Sequence, residues 1–106
     1  MLPAPIAIFA FNRPQSLRRL FADLTACRMA AETQVYVFVD GPRNEAGRRL
    51  VDETIACCES LPWPVTLRKS DSNRGLANSI IAGVTEVVEH HGRVIVLEDD
   101  LRIAPN

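Results

Sequence analysis

Arg93-Val94-Ile95-Val96-Leu97-Glu98-Asp99-Asp100-Leu101 is the stretch that decides the fold: an apolar run that ends directly in three carboxylates. Residues 94–97 show no polar alternation, which is the pattern of a strand covered on both faces, as parallel strands are in α/β proteins. Open sheets of that kind bind ligands beyond the carboxyl ends of their strands, in the crevice where neighbouring connections leave in opposite directions. Glu98, Asp99 and Asp100 then stand at the mouth of such a crevice. Adjacent carboxylates repel by roughly 1 kcal/mol per close pair. Something cationic is therefore expected among them, and a hard divalent ion suits their oxygens best. A solvated acidic turn after a strand is the plainer alternative.

Outward from this strand, the rest of the chain reads as βαβαβα. Ala4 to Phe11 is a second continuous apolar run, too short for a buried helix, and Pro3 and Pro5 sit where only the start of a strand tolerates them. It is expected to be the first and central strand. Asn12-Arg13-Pro14 ends it, and proline's fixed φ opens a helix with Leu17, Leu20, Phe21 and Leu24 on one face and Arg18, Arg19 and Asp23 toward water. Gln34 to Val39 is the second strand, closed by Asp40-Gly41-Pro42-Arg43. Asn44 caps a helix carrying Leu50, Val51, Thr54, Ile55 and Cys58 on one side. Pro62 and Pro64 bracket Trp63, which is assigned to packing, and Val65 to Leu67 is a short third strand. The polar loop from Ser70 to Gly75 leads into a third helix with Leu76, Ile80, Val84, Val87 and Val88 in a stripe. That helix ends at His90, His91 and Gly92, the histidines acting as solvated cations near its negative end.

These alternations predict an α/β fold with an open, mostly parallel sheet of order 3-2-1-4 and helices on both faces. Asn12-Arg13 and the acidic triplet then share one crevice. With 106 residues there is room for one domain, spanning 1–106, that buries roughly two thirds of its surface. A hydrophobic content of 47 % and a charged content of 24 % exclude a disordered chain, and a net charge of −1 gives no electrostatic case for nucleic acid. The apolar start lacks a basic segment and is cut by prolines and Arg13, so neither a signal peptide nor a transmembrane helix is expected. Cys27, Cys57 and Cys58 are an odd set with no zinc spacing. They are expected to be buried or half-buried thiols of a cytoplasmic protein.

The constellation resembles the donor-binding half of nucleotide-sugar-dependent glycosyltransferases of the GT-A fold, in particular the N-acetylglucosaminyltransferase I type and bacterial relatives. Phe9-Ala10-Phe11-Asn12-Arg13 is similar to that family's first strand and arginine-containing turn. Asp40 matches its acid after the second strand, and Asn73-Arg74-Gly75-Leu76-Ala77-Asn78 its segment under the ribose and diphosphate. Glu98-Asp99-Asp100 matches its acidic metal motif, and Leu101-Arg102-Ile103-Ala104-Pro105 the continuation. The resemblance implies a UDP-sugar donor and Mg2+ or Mn2+, with Asp100 as direct metal ligand. It further implies that Asp40 accepts the uracil N–H and that Phe9, Ala10, Asn12, Arg13, Asn73, Arg74, Glu98 and Asp99 contact the nucleotide sugar. The acceptor-binding half and its general base are expected beyond Asn106, so the residues here are expected to bind donor without transferring sugar to an acceptor.

Other classes fit less well. A P-loop needs G-x-x-x-x-G-K-[ST], whereas here Gly41 and Gly47 are followed by Arg48. A nucleotidylyltransferase needs a glycine-rich turn after its first strand, and Phe11-Asn12-Arg13-Pro14 has no glycine. The competing class is a non-catalytic nucleotide-binding or interaction module. The uniformly apolar fourth strand, if left at the sheet's edge, is also expected to support a homodimer.

Overall fold

The computed structural model describes residues 4–27, 32–61 and 63–103. Pro3, Pro62 and the segment from Ala104 to Asn106, on which some expectations rested, lie outside them. In chain order the elements are β1 (Ile6–Ala10), α1 (Pro14–Ala26), β2 (Val35–Val39), α2 (Glu45–Glu59), β3 (Thr66–Lys69), α3 (Leu76–His91) and β4 (Ile95–Glu98). The four strands form one sheet of order β3-β2-β1-β4 with every pair parallel, the topology expected.

Side chains alternate across β1 and β2, and this alternation divides the core. Ile6, Ile8 and Ala10, with Val35, Val37 and Val39, pack against Leu17, Leu20, Phe21 and Leu24 of α1 and Val51, Cys57 and Cys58 of α2. Ala7, Phe9 and Tyr36 face the other way and meet Val87 of α3, with Phe38, Ile80 and Val84 beside them. Each fully buried aliphatic side chain such as Leu17 or Leu20 contributes about 1.5–3 kcal/mol. A Leu20→Ala change would cost about 2–5 kcal/mol by opening a cavity between α1 and the sheet.

Local chemistry sets the helix ends. Pro14 opens α1, Asn44 Oδ1 accepts the Gly47 N–H at 3.1 Å to cap α2, and α3 stops at Gly92, whose φ of 79° only glycine adopts freely. Two helices cover one face and the third covers the other. The chain therefore reverses its winding between β1 and β4, which places a topological switch point there.

Several local expectations are corrected. Leu50, Leu76 and Val88 are 43 %, 56 % and 39 % exposed; the buried positions are Val51, Thr54, Cys57 and Cys58 on α2 and Gly83 and Val87 on α3. Asp23 does not face water: its carboxylate accepts two hydrogen bonds from Arg102 and one from the Ile103 N–H. His91 is not merely solvated, since its ring shares a 2.8 Å hydrogen bond with the Tyr36 hydroxyl. β4 is apolar but not covered on both faces: among the described residues it pairs with β1 alone, and Ile95 and Val96 are 47 % and 41 % exposed. Trp63 packs as expected, edge-on to Phe21 with its N–H donated to Thr25 Oγ1 at 2.8 Å. Among the described residues no helix is long and apolar enough to cross a membrane.

Candidate functional site

Parallel pairing brings the carboxyl ends of β1, β2 and β4 to one edge of the sheet. The Asp40 N–H donates to Ala10 O at 3.0 Å and the Asp99 N–H to Phe9 O at 3.2 Å, so each acid leaves its strand in a fixed direction beside β1. Between these ends and the start of α3 lies a cleft of about 90 Å3. Of the residues singled out from the sequence, Phe9, Ala10, Arg13 and Asp40 line it. So do Asn73, Glu98 and Asp99.

The acidic end of the cleft is already partly neutralised. Asp99 is 2 % exposed, and Arg13 Nη2 stands 3.3 Å from its Oδ1. Burial pushes the Asp99 carboxyl above the ordinary carboxylate range; Arg13 opposes this, and the charges of Asp100 and Glu98 reinforce it. Arg13 Nη1 also reaches Asp100 Oδ2 at 3.5 Å, where both side chains are half exposed. Asp100 does not line the cleft but lies beside it, through Arg13. Glu98 faces the cleft from the end of β4.

At the opposite wall Asp40, 7 % exposed, is engaged by its own chain. Its Oδ1 accepts the N–H groups of Gly41 (2.9 Å) and Arg74 (2.8 Å), and its Oδ2 accepts those of Gly75 (3.0 Å) and the Asn73 side chain (3.2 Å). Asn73 Nδ2 also donates to Gly41 O at 2.9 Å. Gly75, at φ 85°, is the cap position of α3 and supplies no side-chain cap, so the unsatisfied N–H groups and positive dipole end of a 16-residue helix open beside the cleft.

Arg74 and Asn12 are not in the cleft wall. Arg74 borders an adjoining cavity of about 220 Å3 between β3 and α3, together with Lys69 and the Arg68–Glu86 ion pair. Sequence reasoning missed Phe11, Phe38, Arg43 and Ser79, all of which line the cleft. Phe38 could have been found from period-two alternation, since it must face opposite to Val37 and Val39; it stacks on Phe9 at 5.1 Å. Arg43 lies over the Phe11 ring at 5.6 Å, a contact that no local pattern announces.

The chain matches no family model, and a search of curated proteins finds no matching relative.

Proposed function

We propose that this crevice binds the diphosphate of a nucleoside diphosphate sugar together with a divalent cation, and that the chain is the donor-binding part of a glycosyltransferase. One observation carries the reading: a buried carboxylate, an arginine and two further acids meet at the switch point between β1 and β4, opposite a helix N-terminus. That pairing of cation, acid and dipole suits a polyanion that arrives with its own metal ion.

The donor set fits such an ion. Mg2+ and Mn2+ are held by hard oxygens, and Mg2+ sites of this type commonly use one or two carboxylates plus the phosphates of the ligand. Asp100 is half exposed at 3.5 Å from Arg13 and would turn toward a cation, with Glu98, which lines the cleft, as the second carboxylate that would hold it. When bound, the ion would offset the negative charge that grows on a departing nucleoside diphosphate.

The chain's own residues do the positioning. Asp99 holds the Arg13 guanidinium at the crevice, where it can donate to phosphate oxygens. The first turn of α3 offers backbone N–H groups to the same anion. Phe11 and Phe38 give apolar walls against which a ring can pack.

Titration calorimetry with UDP tests this. Affinity should rise by about tenfold or more when Mg2+ or Mn2+ is added, since the acids and the diphosphate otherwise repel, and Asp100→Ala should abolish that gain. Equal affinity with and without metal in both proteins would remove the metal-site reading. A second reading is favoured by Arg13 itself, which already neutralises two of the acids: a metal-independent, non-catalytic nucleotide-binding module. Metal-independent binding that Arg13→Gln destroys would select it.

A further inference from the structure

The acid after β2 invites assignment as a reader of the nucleobase, because a carboxylate there can accept a ring N–H. The geometry points to a different role. A carboxylate offers about four acceptor positions. All four of Asp40's are taken by Gly41, Asn73, Arg74 and Gly75, at 2.8 to 3.2 Å. Three of these donors lie in one loop, more than thirty residues away in sequence. Asp40 thus joins the end of β2 to the loop that carries the first residues of α3.

The neighbouring glycine shows how tightly that loop is seated. A Cβ on Gly41 would lie 2.5 Å from Ser72 C, 2.7 Å from Ser72 O and 2.8 Å from Ser70 O, all backbone atoms with no freedom to yield. The loop therefore rests on the α-carbon of residue 41 while Asp40 holds its far end. Glycine is required by this close approach. Without the clasp, the Arg74 and Gly75 N–H groups would be left to water and the N-terminus of α3 would lose its fixed place beside the cleft.

We infer that Asp40 is a positioning residue: it clasps residues 73–75 and so aims the α3 N-terminus at the cleft, and base selection at this site is not made by its carboxylate. The inference rests on the nucleotide-binding reading above for its second half only. The clasp itself is a property of the fold. Candidates for reading a base are instead the polar side chains that line the cleft beside Phe11 and Phe38, Arg43 and Ser79 among them.

The test joins amide exchange with nucleotide binding. In the wild type the Arg74 and Gly75 amides should exchange slowly for a loop. Asp40→Asn, which turns an NH2 group toward N–H donors, should speed those two amides while leaving those of β1 and β2 unchanged. Affinities for UDP and for CDP, whose cytosine N3 carries no hydrogen, should fall together by about tenfold or more, leaving their ratio unaltered. Gly41→Ala keeps the carboxylate but lifts the loop, and should reproduce the same local exchange and the same parallel loss. Loss of UDP affinity alone, with Arg74 and Gly75 still protected in Asp40→Asn, would overturn the inference and make Asp40 a base reader. Should the wild type bind neither nucleotide, the proposed function fails, while the exchange data still decide whether the clasp exists. If Asp40→Asn does not fold, Gly41→Ala and the wild-type exchange rates decide alone: fast exchange at residues 74 and 75 of the wild type refutes the clasp.

Discussion

Arg13, at the entrance to α1, places its half-exposed guanidinium 3.3 Å from Asp99, a carboxylate 2 % exposed at the end of β4. Two elements far apart in sequence are thus joined at the switch point by a charge pair of which only one member is wet. Removing the wet member strands the dry one. Arg13→Gln should destabilise the fold by about 1–2 kcal/mol at neutral pH, less than a fully buried pair because water screens the arginine side.

The pH dependence of that loss has a definite sign. The Asp99 carboxyl titrates above its ordinary value of 3.8, through burial first, and losing Arg13 raises it further. A folded-state value above the unfolded one means that the native protein binds more protons, so its penalty is fully present at high pH and disappears below 3.8. Arg13→Gln should therefore recover toward wild-type stability as pH is lowered from neutral through the raised Asp99 value. Urea midpoints of both proteins across that range test this; a difference that grows on acidification would refute it.

Asp23 should show the opposite behaviour. Hydrogen bonds from Arg102, and then from the Ile103 N–H, lower its carboxyl from 3.8 to about 2. Its contribution is thus present above the unfolded value and lost as pH falls from near 4 toward 2. This clasp ties the segment after the acidic triplet to α1. Asp23→Asn should flatten the acid limb of the stability curve over that interval and speed exchange at Ile103; an unchanged acid limb would show the clasp to be energetically silent.

The three thiols should separate by accessibility. Burial pushes Cys58 up to about 12 and Cys57 upward as well, whereas Cys27 is only half buried. A small alkylating reagent at neutral pH should modify Cys27 in the native protein and reach Cys57 and Cys58 only in denaturant. Rapid labelling of all three without denaturant would mean that the α1–α2 layer opens readily.

Much of this architecture was legible because short-range chemistry and long-range packing agree. The uninterrupted apolar runs, Pro14 at a helix start, Asn44 as a cap and Gly92 as a stop each mark an element, and alternation with helices fixes the parallel order. That Phe9, Asp40, Glu98 and Asp99 gather at one cleft was legible for the same reason, since residues after parallel strands share an edge. What escaped depends on side-chain reach across the fold. Nothing near Asp23 in sequence announces Arg102, and nothing near Arg43 announces Phe11. The place of Asp40 at the strand ends was recognisable, but its four donors were not, because three of them arrive from the loop before α3. Leu76 and Val88 satisfy the helical period yet stay exposed, Leu76 at the first turn of α3 beside the cleft and Val88 on its flank, since among the described residues a single helix leaves part of that face uncovered.

That incomplete cover leads to the last prediction, which concerns association. β4 has β1 on one side and no strand on the other among the described residues, with Ile95 and Val96 exposed. At about 100° per residue, Ile81 and Val88 lie on the flank of α3 opposite to Glu86, which pairs with Arg68 of β3; they therefore overhang the β4 side. Ile81 is 65 % exposed and adds to the apolar surface of that flank. Antiparallel pairing of β4 with a second copy about a two-fold axis would cover this edge. This chain should accordingly dimerise with rising concentration in light scattering, and Val96→Lys, which places a charge on the edge, should keep it monomeric. A wild type that stays monomeric at high concentration would sink the edge argument.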